Sequence, residues 1–284
     1  DFMVDIVPEN IFVSLADNSK MLQVIFVALL MGVAMVSLGE KRTAPVLSLV
    51  SALELIILKI IDYIMKFAPI GVFALLAGMI VDFSGDAEMF KALGLYAVTV
   101  VVSLLILIIL FYPLLLKILT RFPLKKFFQG VFPVQLVAFS TSSSSATLPV
   151  TMEQVQQKMG VSEEIASFVL PVGTTINMDG TSCYQAISIF FIAQIFGIEL
   201  SFAQTLAVIA LTVLASIGTP GVPGGSIVMT VMVMTSVGIP AEGLALILGV
   251  DRILDMLRTV VNVTGDSFVA VLMEEMQQRK LQRS

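Results

Sequence analysis

The sequence contains no histidine, no tryptophan and a single cysteine, Cys183, in 284 residues. Without histidine there is no general acid–base group of the usual kind, no imidazole metal ligand and no Ser–His nucleophile pair. One cysteine can form neither an internal disulfide nor a thiolate metal site. Charge is scarce as well: 13% of residues are Asp, Glu, Lys or Arg, while 57% are hydrophobic. The mean hydropathy of +1.01 lies far outside the range of soluble domains and places the chain in a lipid bilayer. The net charge of −5 comes with no basic patch, which argues against a nucleic-acid partner. These absences point away from an enzyme and towards an all-α membrane protein.

What is present divides into spans and interruptions. Residues 21–38 form an uncharged apolar run of 18, just long enough to cross a bilayer. After a short loop at 39–45, residues 46–83 read as a long helix carrying Glu54, Lys59, Asp62 and Lys66 on one side. Pro69 and Gly71 predict a bend in it. An acidic loop at 84–89 precedes another spanning helix at 92–116.

The next segments are too short to span. Residues 127–139 and 150–157 flank the run S-T-S-S-S-S-A-T-L-P (140–149), and residues 206–215 and 227–237 flank S-I-G-T-P-G-V-P-G-G-S (216–226). A half-helix of about 11 residues covers only about 16 Å of a hydrocarbon core of about 30 Å. Each pair therefore reads as a re-entrant helical hairpin, at 127–157 and 206–237, with its tip near the midplane. Each is followed by a helix with a polar centre. The first, at 163–197, is broken at T-T-I-N-M-D-G-T (174–181); the second covers 244–275. Hairpin plus polar helix, twice over, suggests an inverted-repeat transport core.

The last helix carries the most information. At about 100° per residue, Asp251, Asp255, Arg258, Thr259, Asn262 and Asp266 share one face about 100° wide. The rest of the circumference is apolar. A narrow charged stripe on a greasy helix suits a bilayer in which the stripe faces a protein cavity. The basic residues orient the chain: Lys41, Arg42, Lys117, Arg121, Lys125, Lys126, Lys158, Arg279, Lys280 and Arg283 fall on one side, which is predicted cytoplasmic, as is the C-terminus.

The motifs S-S-S-S-A-T-L-P (142–149), N-M-D-G-T (177–181), S-I-G-T-P-G-V-P-G-G (216–225) and D-R-I-L-D-M-L-R-T-V-V-N-V-T-G-D (251–266) occur in that order. Together they resemble the dicarboxylate/amino acid:cation symporters, the glutamate transporter family. The resemblance implies a sodium-coupled symporter in the cell's inner or plasma membrane, moving by an elevator-type motion within a homotrimer. It implies residues 1–83 as the remaining part of a scaffold and trimerisation domain, 84–284 as the transport domain, and the family's first three helices as lacking from this sequence. The third of those helices supplies cation ligands in the family.

Carried over by position, the resemblance assigns Arg258 to the substrate's side-chain carboxylate, assisted by Thr181. Asp255 takes the ammonium, beside Thr259. Asn262 takes the α-carboxylate with Ser144, and Val222 offers a tip carbonyl. The arginine favours an acidic amino acid (aspartate or glutamate) or a C4-dicarboxylate, since neutral amino-acid members lack it. One Na⁺ site is implied at Gly173, Asn177, Asn262 and Asp266, and a second at the carbonyls of Thr175, Ser216, Ile217 and Thr219. Asn177 and Asp179 form part of a third. Na⁺ is then the coupling ion, and no organic cofactor is expected. Oxygen-only ligands suit an alkali cation. The four aspartates Asp179, Asp251, Asp255 and Asp266 against Arg252 and Arg258 leave a surplus of two negative charges, which an anionic substrate enlarges unless cations accompany it.

Two departures from the family stand out. Ser142 occupies a place where many archaeal members have arginine, and Arg252 is a candidate to fill the same space or to pair locally with Asp255. Ser226 stands where well-studied members have glycine. Proton-coupled members differ at the Asn-Met-Asp and Gly-Asp motifs, both intact here. Proton-coupled or neutral amino-acid transport, a passive channel, a non-transporting fragment and an intramembrane hydrolase using Ser142–Ser145 are the alternatives.

Overall fold

The computed structural model describes residues 7–16, 21–67, 70, 71, 73, 74, 77, 78, 81 and 87–281. The bend predicted at Pro69 and residues 84–86 of the acidic loop lie outside the described residues. Every regular element among the described residues is helical. The chain divides into two compact units, residues 1–74 and 75–284.

In the first unit, α1 (Ile11–Ala16) starts where Asn10 Oδ1 accepts the Phe12 N–H at 2.9 Å. Two longer helices follow, α2 (Met21–Leu38) and α3 (Glu40–Met65). The loop expected at 39–45 shrinks to Gly39, whose φ of +84° makes the turn alone. Pro45 lies inside α3 rather than before it. Apolar side chains point outward here, with Val36 84% and Leu55 68% exposed. Such a surface is costly in water and suits lipid or a packed partner.

In the second unit, α4 (Ala87–Leu119) is long and apolar enough to cross a membrane. It contains a π-helical turn at Leu107–Phe111, just before Tyr112-Pro113. Proline lacks an N–H and crowds the preceding turn, and a widened turn absorbs both defects. α5 (Leu124–Thr141) and α6 (Ser144–Gln154) pack against each other across a break at Ser142-Ser143. Serine competes with its own backbone for hydrogen bonds, so a run of four is a poor helix interior and a good boundary. Ser142 takes the left-handed conformation at φ 53°, and Ser143 caps α6 by accepting the Ala146 N–H.

α7 (Glu163–Ile176) and α8 (Asp179–Ile195) are separated by Asn177-Met178 in non-helical conformation. A Ser201/Gln204 capping box starts α9 (Phe202–Ile217). Gly218 to Gly225, rich in glycine and proline, cannot continue that helix, and α10 (Ser226–Ser236) resumes after it. The final helix, α11 (Ala245–Leu281), packs against α4, α5, α7 and α8. At 37 residues it is about 55 Å long.

α11 has its polarity reversed relative to a soluble helix. Asp251, Asp255, Arg258, Thr259, Asn262 and Asp266 are all buried, whereas Ile253 is 62% exposed. The charged stripe therefore faces protein; Leu254, Val261 and Val263 are buried as well, so the middle of the helix is enclosed by its neighbours on most sides.

Candidate substrate and cation sites

The site is built where three helix breaks converge on the middle of α11. The Ser143 hydroxyl donates to the Gly221 carbonyl at 2.6 Å, and the Ser145 N–H donates to the same oxygen at 3.1 Å. The two breaks, 142–143 and 218–225, thus touch. Only glycine fits at 221: a Cβ there would sit 2.7 Å from the Thr174 carbonyl oxygen and 2.8 Å from Ser145 Oγ. The third break enters through Asn262, whose Oδ1 accepts the Gly180 N–H at 2.8 Å. Its Nδ2 donates to Thr181 Oγ1 at 3.1 Å and approaches the Met178 sulfur.

All eight substrate-contact candidates line one cavity: Arg258, Asp255, Thr259, Asn262, Thr181, Ser142, Ser144 and Val222. Met178, Thr219, Pro220, Gly221 and Ser226 complete it. The free space is about 10 Å³, which is about one water molecule. In this conformation the cavity's own polar groups take up nearly all of the space.

Arg258 is the largest of those groups and is 1% exposed. Its Nε donates to Asp255 Oδ1 at 2.9 Å and its Nη1 to Asp251 Oδ1 at 3.2 Å. The guanidinium carbon lies 4.0 Å from the centre of the Tyr184 ring, a cation–π stack that holds the plane. Nη2 is 2.9 Å from Asp255 Oδ1, but that oxygen lies off its N–H directions, so Nη2 makes an ionic contact and no hydrogen bond. Two carboxylates thus neutralise and aim the arginine while leaving one nitrogen's donors unmet. Asp255 Oδ2 accepts the Gly224 N–H at 2.9 Å and so also holds the glycine-rich break. Asp251 is a direct partner of Arg258.

A second polar cluster surrounds Asp266. Asn177 Nδ2 donates to Asp266 Oδ1 at 2.9 Å, and Gly173 lies so close that a Cβ would be 2.6 Å from the same oxygen. Tyr112 donates its hydroxyl to Asp179 Oδ2 at 2.6 Å. Gly265 closes the cluster, facing Tyr112, Asn177 and Asp179. Among the described residues, Asp179 and Asp266 have neutral hydrogen-bond donors and no ion-pair partner. Convergent oxygens with uncompensated charge are a setting suited to small hard cations.

The remaining cation candidates are less closely gathered. Ser216 and Thr219 are buried at the end of α9, where the Ser216 carbonyl accepts the Thr219 N–H at 3.1 Å. Ile217 belongs to the same turn. Thr175 is exposed on α7, and its neighbour Thr174 is the residue that meets Gly221. Arg252 fulfils neither expectation: it lines no part of the cavity and forms no ion pair with Asp255. At about 100° from Asp251 it sits at the edge of the stripe, about 20° beyond Thr259. Tyr112 and Tyr184 are the partners that sequence reasoning missed. The available signal was a phenol hydroxyl in the middle of an apolar helix and another one turn past the Asn-Met-Asp-Gly-Thr run.

The model of the sodium:dicarboxylate symporter family matches residues 1–276. The chain belongs to that family. Excitatory amino acid transporter 3 of Mus musculus is 41% identical to this symporter-family chain over 268 residues, 94% of the chain and 51% of the relative. Excitatory amino acid transporter 1 of Homo sapiens is 42% identical over 225 residues, 79% of the chain and 42% of the relative. Excitatory amino acid transporter 2 of Mus musculus is 37% identical over 265 residues, 93% of the chain and 46% of the relative. The symporter-family chain spans about half the length of these relatives.

Proposed function

We propose that the chain carries the substrate and cation sites of a symporter that moves an acidic amino acid or C4-dicarboxylate across the inner or plasma membrane with Na⁺. The observation that carries this reading is Arg258: a guanidinium 1% exposed, aimed by two aspartates and a tyrosine ring, with Nη2 unmet at a polar cavity. A fixed guanidinium with donors to spare, next to carboxylate and amide groups, matches a dicarboxylate or an acidic zwitterion. A channel has no use for such a fixed pair.

Asp255 then exchanges its bond to Gly224 for the substrate ammonium, and Asn262 with Ser144 takes the α-carboxylate. That exchange loosens the contact holding the 218–225 break, so admission of substrate and opening of this break are one event. The cavity's small volume requires such an opening. The breaks at 142–143 and 218–225 serve as tips of two re-entrant hairpins approaching from opposite faces of the membrane, with the C-terminus cytoplasmic. Na⁺ binds at Gly173, Asn177, Asn262 and Asp266, at Thr175, Ser216, Ile217 and Thr219, and at Asn177 with Asp179. It offsets Asp179 and Asp266, which have no ion-pair partner among the described residues. Each Na⁺ brings about 1.4 kcal/mol per tenfold gradient and about 2.3 kcal/mol per 100 mV. Residues 84–284 move as an elevator against a scaffold that includes 1–83, within a homotrimer.

The test is reconstitution in liposomes with labelled L-aspartate. Saturable uptake that collapses when the inward Na⁺ gradient is removed is the expected result. Uptake indifferent to Na⁺ but driven by a pH step overturns the ion assignment, and unsaturable flux in either direction overturns the symporter reading.

A further inference from the structure

Among the described residues, three buried polar atoms on residues that line the cavity have no hydrogen-bond partner: Ser142 Oγ, Ser226 Oγ and Arg258 Nη2, the last holding only its ionic contact with Asp255. Their residues are 2%, 3% and 1% exposed. Polar atoms this deeply buried are nearly always paired, so three orphans sharing one cavity call for a common partner. Nη2 can only donate, and each hydroxyl has one hydrogen to give. The complement is an acceptor with several lone pairs and negative charge, which a carboxylate provides.

Ser226 is held in place for this task. Its carbonyl accepts Thr230 Oγ1 at 2.8 Å and Gln185 Nε2 at 3.3 Å, so the backbone is fixed while the hydroxyl stays free. It is the first residue of α10, an 11-residue helix whose N-cap, Gly225, has no side chain to occupy the helix's positive end. A negative group lying against Ser226 Oγ also meets that end of the helix.

We propose that Ser226 donates a hydrogen bond to the same substrate carboxylate that Arg258 binds, which makes it a further specificity-determining residue of the site. This rests on the reading that an acidic substrate enters the cavity. Glycine at this position offers no such donor, so the hydroxyl adds one contact available only to an acceptor-bearing substrate.

The experiment measures L-aspartate binding to the detergent-solubilised protein in saturating Na⁺, for the wild type and for Ser226→Ala, Ser226→Gly and Ser226→Thr. Loss of a hydrogen bond to a charged group predicts a Kd raised about tenfold or more in the Ala and Gly variants. The Thr variant keeps the hydroxyl and stays within about threefold of wild type. A purely structural role predicts the opposite order, since the bulkier threonine would disturb packing most. The Gly variant, which asks nothing of its neighbours, keeps the test alive if the Ala variant does not fold. An Ala or Gly variant within twofold of wild type overturns the proposal, as does a Thr variant as weak as Ala. A wild type that binds neither L-aspartate nor a C4-dicarboxylate such as succinate in Na⁺ refutes the functional reading itself, and the proposal with it.

Discussion

Gly265→Ala is the sharpest perturbation the cluster around Asp179 and Asp266 offers. A Cβ built at 265 lies 2.5 Å from the Tyr112 hydroxyl, 2.8 Å from Asn177 Nδ2 and 3.1 Å from Asp179 Oδ2. To reach ordinary contact the phenol oxygen must retreat by about 0.9 Å and the amide by about 0.6 Å, and the surrounding close packing resists both movements. The phenol's 2.6 Å bond to Asp179 and the amide's 2.9 Å bond to Asp266 cannot both survive that shift. Overpacking of this kind costs about 1–3 kcal/mol, and a lost hydrogen bond to a carboxylate is of similar size. If these oxygens hold Na⁺, the half-saturating Na⁺ concentration for L-aspartate uptake rises about 5- to 150-fold. Maximal uptake at saturating Na⁺ falls much less. Gly94→Ala on α4 is the control, because nothing lies within 4 Å of its Cβ. It is expected to leave Na⁺ dependence unchanged and to stabilise the helix slightly. A Gly265→Ala protein whose Na⁺ dependence stays within twofold of wild type refutes the assignment of this cluster to a cation.

Arg258→Gln leaves Asp251 and Asp255 buried without a cation, which costs about 3–5 kcal/mol and lowers the melting temperature along with abolishing L-aspartate binding. An unchanged melting temperature refutes the pairing. Tyr112→Phe removes the donor to Asp179 and raises the Na⁺ requirement about tenfold with little loss of fold, read from uptake against Na⁺ concentration. Gly221→Ala drives a Cβ into the Thr174 carbonyl, which is backbone and cannot swing away. The two breaks then separate, and labelled substrate escapes from the solubilised protein at least about tenfold faster; unchanged release refutes the contact. Ser143→Ala removes both the cap on α6 and the bond to Gly221, for about 0.5–2 kcal/mol, measured by denaturation.

The amino-acid sequence alone determined the class of this protein and named most of the residues that line the candidate site. Composition placed it in a bilayer, because 57% hydrophobic residues cannot be covered by 13% charged ones in water. Periodicity placed Asp251, Asp255, Arg258, Asn262 and Asp266 on one inward face of α11, because a helix maps spacing directly onto direction. The breaks at 142–143, 177–178 and 218–225 were legible because serine runs and Gly/Pro clusters cannot sustain a helix. Contacts between elements were not legible, since sequence spacing carries no distance across helices. Only the tertiary structure decided that Tyr184 stacks on Arg258, that Tyr112 meets Asp179 across 67 positions, and that Gly221 joins the two breaks. The tertiary structure also kept Arg252 out of the cavity lining and left the Ser226 hydroxyl without a hydrogen-bond partner among the described residues. Local pattern fixes which way a side chain points, whereas packing alone fixes what it meets.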